Sequence, residues 1–240
     1  MEREFWLTFS GAIVLALVHL FAGKLRFISM IPRSKWLSFG GGISVAYVFI
    51  HVMPELEEWQ LHYEGKGFLQ HHLYLLSLAG LTIFYGLERA AKLSKVSARQ
   101  DDQREVSGRV FYIHLVSFSL YNALIGYLLV HRNEHTLKQL IFYLLAMAFH
   151  FVINDFGLHD HYQKRYRRVG RYILTLSIIA GWVAGQWVNL PPLGIGAVFG
   201  VVSGGVILNT LKEELPEERR SNFLAFMAGC VLYSAVLLLA

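Results

Sequence analysis

Long apolar segments constrain the fold of this chain more than any other feature of its sequence. Eight segments are each close to the ~20 residues that an α-helix needs to cross the hydrocarbon core of a bilayer. They cover residues 4–22, 36–56, 70–88, 110–131, 137–158, 170–190, 192–211 and 221–240. Hydrophobic residues make up 55% of the 240 positions and charged residues only 16%, which is typical of a polytopic membrane protein. We therefore predict an all-α fold in which eight transmembrane helices, spans 1 to 8, form a single membrane domain, residues 1–240.

Basic residues predict how these spans are oriented. The connections after spans 1, 3, 5 and 7 hold 4, 6, 5 and 3 Lys and Arg residues, whereas the other connections hold at most two. The positive-inside rule then puts the odd-numbered connections in the cytoplasm, including the longest, about residues 89–109, and both termini on the non-cytoplasmic side. The formal net charge of +5 indicates contact with anionic membrane lipid and not with nucleic acid. We expect an integral protein of the cell (inner) membrane.

A faint internal repeat relates span 2 to span 7. A shift of 162 residues aligns Gly42, His51, Pro54 and Glu55 with a second set of residues in span 7 and just after it. That set is Gly204, Glu213, Pro216 and Glu217. Because span 2 runs outward and span 7 inward in the predicted topology, spans 1–3 and 6–8 would be inverted repeats arranged around spans 4 and 5. Alternating-access transporters are often built in this way, although four matches at positions rich in Gly and Pro also arise by coincidence.

Polar side chains interrupt spans 4 and 5, where a bilayer tolerates them only if they face one another, an ion or water. On span 5, His150 and Asn154 are four residues apart and share a helix face, whereas Asp155 lies on a neighbouring face with His159 at i+4. Imidazole, amide and carboxylate groups suit Zn²⁺ and also accept Fe²⁺ or Mn²⁺. We therefore predict a divalent metal site between spans 4 and 5, with Asn122, His150, Asn154 and Asp155 as ligands.

Other polar or small residues predict a path for the cation on either side of this site. His51 and Glu55 end span 2 on the outer side, where acidic and imidazole groups would concentrate cations. The remaining path residues are His114, Ser119, Tyr121 and Gly126 on span 4, His159 and His161 after span 5, and Glu213 and Glu214 after span 7. A purely structural interpretation stands beside this one, because Asn and His in membrane helices often only hydrogen-bond neighbouring helices.

The residues of spans 2 and 7 resemble the ZIP (Zrt/Irt-like) family of divalent metal transporters. The segment Phe39–Glu55 has a small-residue start and a His-x-x-Pro-Glu end and looks like the second helix of that family, and Gly204–Glu217 is similar to its seventh helix. The resemblance covers the whole chain in outline. It implies eight spans, outward termini, a long cytoplasmic loop after span 3, and a metal held midway across the membrane by motifs on spans 4 and 5.

These metal-site motifs depart from the family pattern. In the family's His-Asn-x-x-Glu/Asp-Gly motif on span 4, the Asn and Gly are retained, but Tyr121 takes the place of His and Ile125 that of the carboxylate. In its His-Glu-x-x-x-Glu-type motif on span 5, His150 is retained and Asp155 supplies an acidic group, but Phe151 takes the place of the first carboxylate. Without these carboxylates, the resemblance implies at most one metal site.

Three hypotheses follow. The first is a ZIP-type transporter that moves a divalent metal cation toward the cytoplasm, with Zn²⁺ as the leading substrate and Fe²⁺ and Mn²⁺ as alternatives. It would need no catalytic residue and no prosthetic group, and a homodimer is a possible assembly. The second is a ZIP-like membrane protein that has lost transport and has a regulatory or structural role, which the missing carboxylates favour. The third is an intramembrane zinc-dependent lipid amidase of the seven-span ceramidase type, against which eight spans and the lack of a three-His set argue.

Overall fold

The computed structural model describes residues 2–22, 33–63, 72–100, 108–131, 137–214 and 222–238. Within these ranges the chain is almost entirely helical and contains no β-strand, so the all-α prediction is confirmed. The α-helices described are α1 (Glu2–Phe21), α2 (Arg33–Tyr47), α3 (Met53–Tyr63), α4 (His72–Gln100), α5 (Gly108–Val130), α6 (Leu137–Arg165), α7 (Arg171–Trp187), α8 (Pro192–Asn209) and α9 (Phe223–Leu238).

Three five-residue π-helical segments join or extend these helices. Val48–Val52 connects α2 to α3, Tyr166–Gly170 connects α6 to α7, and Thr210–Glu214 extends α8. A π-helical turn closes its hydrogen bonds between residues i and i+5, and such turns are rare and frequently lie at functional sites. Span 2 is therefore a helical run from residue 33 to residue 63 that contains a π-helical turn near its middle.

Several helices have the length and composition of membrane spans. Five helical segments within the described ranges are long and apolar enough to cross a bilayer: Glu2–Phe21, Ser38–Leu61, Phe111–Val130, Leu140–His159 and Pro192–Lys212. A shorter apolar helix covers Phe223–Val236. These segments indicate a chain embedded in a membrane, whereas the number of eight spans and the side on which each terminus lies stay predictions.

The helices pack in two groups. The first group contains α1, α5, α6 and α7, and its largest interface joins α5 to α7. The second contains α2 with α3, α4, α8 and α9, and in it α2 packs on α9 and α4 on α8. The two groups meet where α4 and α8 pack on α5, and where α2 and Thr210–Glu214 pack on α6. A site between the groups could therefore change shape if one group moved against the other.

Glycine allows the α5–α7 interface to form. A Cβ atom built on Gly126 would collide with the carbonyl oxygen of Ile178 and would lie 2.9 Å from the backbone nitrogen of Trp182. Gly181 of α7 lies equally close to the backbone of Ala123. Close backbone approach at small residues is the usual way in which helices associate in membranes, where burial from water drives little of the association.

Helix α4 is longer than the sequence predicts. It continues from His72 to Gln100, so the first part of the predicted loop at about residues 89–109 is helical. The residues after Glu88 are mostly Arg, Ala, Lys, Leu, Ser and Gln, and several of these have high helix propensity in water. Residues 101–107 lie outside the described part of the chain.

Candidate functional site

A buried polar cluster joins α1, α5 and α6. His19 of α1 donates a hydrogen bond from Nδ1 to Oδ2 of Asp155 on α6, over 2.9 Å. Nδ2 of Asn122 on α5 donates to Nε2 of the same imidazole over 3.0 Å. The three residues are only 1–2% exposed. These three residues are one half of a larger group of buried polar side chains, which we call the polar core. We call His19, Asn122 and Asp155 its acidic half.

The hydrogen-bond partners of His19 indicate its tautomer. Because Asp155 accepts from Nδ1 and Asn122 donates to Nε2, the arrangement fits an imidazole whose proton is on Nδ1. The ring also stacks on Phe151, with the ring centroids 4.4 Å apart. His19 is therefore fixed on both nitrogens and on one face, which orients the Asp155 carboxylate.

One oxygen of Asp155 stays open to a further partner. Oδ2 accepts the bond from His19, whereas Oδ1 makes no close hydrogen bond among the described residues. The buried Tyr166 hydroxyl, which also makes no close hydrogen bond among these residues, is a neighbour of this carboxylate. A buried carboxylate oxygen without a partner is costly, and natural proteins seldom keep one without a water, an ion or a functional reason. The acidic half can thus offer an electron pair to a cation or a water molecule.

His150, Asn154 and Tyr121 form the second half of the polar core, which we call the imidazole half. Nδ2 of Asn154 donates to Nε2 of His150 over 3.1 Å, and the Tyr121 hydroxyl lies 3.4 Å from the same nitrogen. His150 and Asn154, whose spacing puts them on one face of α6, thus bond to each other in this structure. A cation that approached Nε2 of His150 would have to displace these two donors.

Phe151 lies between the two halves of the core. Its ring packs on both His19 and His150, with centroid distances of 4.4 and 6.1 Å. The four predicted ligands are therefore divided: Asn122 and Asp155 meet at His19, whereas His150 bonds to Asn154. Within the described part of the chain, no group of three or more His, Cys, Asp or Glu side chains is close enough to hold a metal ion.

Sequence reasoning missed His19. It compared residues on spans 4 and 5 and paired Asp155 with His159 by helical spacing, but Asp155 bonds to His19, and the His159 ring packs against Tyr166, with centroids 5.9 Å apart. Spacing along one helix cannot show which other helix will supply a partner. A signal was nevertheless present, because His19 interrupts an otherwise apolar span and an ionisable residue at such a place suggests a role.

A small cavity lies next to the imidazole half. Its volume is about 40 Å³, which is room for a few water molecules. Its walls come from both helix groups and include Glu55, His131 and Ser203. Met147 and Ile125 also line the cavity. Met147 is three residues from His150 on α6, and Ile125 is four residues from Tyr121 on α5. The cavity thus reaches to about one helical turn from the imidazole half.

The predicted outer residues contribute to this end of the molecule. His51 lies in the π-helical segment after α2, and its Nε2 is 3.7 Å from Oε2 of Glu55. Both side chains are partly exposed. The structure therefore brings the predicted path residues His51 and Glu55 together, and Glu55 borders the cavity.

A second polar cluster surrounds His114 at the opposite end of α5. The Tyr162 hydroxyl is 2.8 Å from Nδ1 of His114, Nε2 of His114 is 3.5 Å from Oε2 of Glu88, and Oε1 of Glu88 is 2.6 Å from the Lys212 ammonium group. Burial, together with the nearby Glu88 carboxylate, raises the pKa of the Tyr162 hydroxyl to about 12. The phenol therefore keeps its proton at neutral pH and can donate it to His114. We call these four residues the Glu88 cluster.

The remaining predicted path residues have other surroundings. The Ser119 hydroxyl has no hydrogen-bond partner within the described ranges. The backbone of α7 fills the space beside Gly126. The side chains of His161, Glu213 and Glu214 lie outside the described part of the structure, so their predicted roles stay predictions.

Comparison with known proteins finds no matching family model, no similar curated protein and no similar solved structure. The resemblance to ZIP transporters therefore rests on the residues of this chain alone. The function has to be argued from the polar core and from the packing around it.

Proposed function

We propose that this chain is a ZIP-type transporter of a divalent metal cation, which it moves across the membrane toward the cytoplasm. Zn²⁺ is the leading substrate, with Fe²⁺ and Mn²⁺ as alternatives. The observation that carries the proposal is the Asp155 carboxylate, which is buried within an apolar helical bundle, oriented by His19, and open at Oδ1. Ionisable groups at such positions usually mark ion pathways.

The donor set fits a cation that must bind and then leave. One carboxylate oxygen, one imidazole and amide groups are oxygen and nitrogen ligands of the kind that Zn²⁺ accepts. With one carboxylate instead of several, binding would be weak enough for release. We assign the primary role to Asp155 and a positioning role to His19. His150, Asn154 and Asn122 would complete the ligands through side-chain movements within α5 and α6, which carry these residues and Asp155.

Two observations support the inverted repeat that alternating access would use. The π-helical segments Val48–Val52 and Thr210–Glu214 are each five residues long. Their first residues are 162 positions apart in the sequence, and so are their last residues. This is the same offset that aligns Gly42 with Gly204 in the sequence. A rare local structure at corresponding places in both units supports the relation, whereas the third π-helical segment, Tyr166–Gly170, falls at this offset on ordinary α-helix in α1.

The contacts of the two aligned glycines exchange in the way that a two-fold relation requires. Gly42 lies against the backbone of Phe226 on α9, whereas Gly204 lies against the backbone of Ser77 on α4. If spans 1–3 correspond to spans 6–8, α9 and α4 are the third members of the two units. Each second member therefore packs on the third member of the other unit. Such an exchange is consistent with two repeats related by a pseudo-two-fold axis.

Uptake by liposomes tests the proposal. Purified protein in liposomes should transport Zn²⁺, Fe²⁺ or Mn²⁺ into vesicles that contain a metal-sensitive dye. We expect Asp155→Asn and His19→Ala to lower the initial uptake rate by on the order of 10- to 100-fold, which is the usual effect of losing a ligand or the group that orients it. His72→Ala is the matched control, because His72 begins α4 outside the polar core.

The stability of each variant in detergent is measured alongside, so that loss of fold is not taken for loss of transport. Normal uptake by Asp155→Asn would contradict the assigned role of Asp155. Failure of the folded wild-type protein to transport any of the three metals would reject the proposal itself.

A second candidate is a ZIP-like membrane protein that has lost transport and acts as a regulatory or structural partner. The separation of the two halves by Phe151 favours it, as does the lack of a three-ligand group within the described residues. Metal binding measured by calorimetry, together with no uptake in liposomes, would support this candidate over transport.

A further inference from the structure

The Glu88 cluster connects the two helix groups at one end of the molecule. Glu88 belongs to α4, and Lys212 to the π-helical segment that extends α8, so both are in the second group. His114 belongs to α5 and Tyr162 to α6, which are in the first group. The approach of Glu88 to His114, over 3.5 Å, therefore crosses the boundary between the groups.

The same boundary leads to the polar core. The Phe84 ring packs on the Tyr121 ring, with the ring centroids 5.5 Å apart. Phe84 lies four residues before Glu88 on α4, and Tyr121 lies seven residues after His114 on α5. Seven residues of α-helix span about 10 Å. The Glu88 cluster thus lies about 10 Å along the α4–α5 interface from the imidazole half of the core.

The two ends of this boundary differ. On one side of the imidazole half, the groups are separated by the cavity that Glu55 and His131 line. On the other side, the charged and polar side chains of the Glu88 cluster connect them. An open cavity of about 330 Å³ also borders Glu88 and Lys212, but its walls belong to α4 and to α8 with its extension, so it lies within the second group. The boundary itself is thus partly open at one end and closed at the other.

The strength of this connection suits a contact that opens. The pair described above that crosses the boundary is Glu88 with His114, and its separation of 3.5 Å is longer than a usual hydrogen bond. A contact of this kind contributes no more to stability than the ~1 kcal/mol of an ordinary hydrogen bond. By contrast, the α5–α7 and α2–α9 interfaces within each group are built on backbone contact at glycine. The contact between the two groups is therefore weaker than these two interfaces.

We infer that the Glu88 cluster is the inner closure of the cation pathway and that Glu88 holds it shut by binding Lys212 and His114 at once. The inference rests on the proposed function for the identity of the passing ion. Lys212 carries a positive charge on a flexible side chain, so it neutralises Glu88 while the closure is shut. A departing cation would have to displace Lys212 from Glu88.

Cysteine accessibility tests the closure without any metal. In a Cys230→Ser background, Ser117→Cys puts a thiol one turn from His114, on the face of α5 that leads to Tyr121. Its labelling by a small charged methanethiosulfonate is measured in open membrane fragments, where both faces of the membrane are accessible. We expect Glu88→Gln and Lys212→Met to raise the labelling rate about fivefold, the change in open population that about 1 kcal/mol produces. Lys212→Arg should keep the wild-type rate.

Ser177→Cys is the matched control. Ser177 of α7 is half-buried like Ser117, and each hydroxyl donates 2.8 Å to the carbonyl oxygen four residues earlier. An unchanged rate at Ser117→Cys in both charge variants would overturn the inference. An equal rise at Ser177→Cys would also overturn it, since this would indicate general loosening. If labelling responds as expected but wild-type liposomes take up no metal, the closure stands and the proposed function fails.

Discussion

His19 and Asp155 form a buried pair whose two members depend on each other. With His19 and Asp155 both at 1% exposure, neither has water to replace a lost partner. Removing one partner from such a pair is far more costly than replacing both with apolar groups, because it leaves a polar group or a charge buried alone. The pair therefore has a structural consequence that can be measured apart from transport.

We predict that Asp155→Ala lowers the free energy of unfolding by about 3–5 kcal/mol, the usual result of breaking a buried pair. The double variant His19→Leu with Asp155→Leu should lose less, because it removes both members of the pair and leaves only the Asn122 amide without its partner. Thermal unfolding of the purified proteins in one detergent gives the comparison. A double variant at least as unstable as Asp155→Ala would contradict the account of the pair.

For individual residues, the sequence predicted which polar side chains are buried better than it predicted their hydrogen-bond partners. Asn122, His150, Asn154 and Asp155 are all buried, as expected for polar groups that cannot face lipid. Their division into two halves could not be predicted, because it depends on His19 from a third helix. Helical spacing identifies neighbours within an element, but the rotation of each helix about its axis is decided by tertiary packing.

Helix association depends on glycine in both groups. In the α5–α7 interface, Gly126 and Gly181 meet the opposite backbone directly. A methyl group at either position would have to push apart two backbones, which cannot rearrange as a flexible side chain can.

We predict that Gly126→Ala lowers the free energy of unfolding by about 1–3 kcal/mol, as overpacking usually does. Gly86→Ala on α4 is the control, because a Cβ there meets nothing within 4 Å. Alanine should be neutral or stabilising at position 86, by up to about 1 kcal/mol. The measurement is again thermal unfolding in detergent, and equal losses at the two positions would show that the interface tolerates the methyl group.

The helices themselves were largely predictable from apolar length. The predicted span 192–211 starts at the first residue of α8, Pro192, and the span 137–158 at the first residue of α6, Leu137. Proline fits the first turn of a helix, which explains the sharp start of α8. The π-helical segments were not predicted, because apolar length and charge say nothing about the hydrogen-bond register within a helix.

The distribution of charge predicts the topology of the whole molecule. The predicted topology is tested with single cysteines. Lys66→Cys or Arg99→Cys is introduced into a Cys230→Ser background. We expect a membrane-impermeant maleimide to label Lys66→Cys in intact cells but to label Arg99→Cys only after permeabilisation, because Arg99 is in the basic connection after span 3. The reverse pattern would invert the orientation and, with it, the direction of the proposed transport.

The partnership of α2 with α9 and of α4 with α8 has a consequence for biosynthesis. These partners are far apart in the sequence, so α2 and α4 leave the ribosome well before the helices on which they pack. Their glycine faces, at Gly42 and Gly80, then have no matching backbone. Because proteins are made from the N-terminus onward, the second group can be completed only after the last helices have entered the bilayer. Until then the nascent chain exposes these two glycine faces to other proteins.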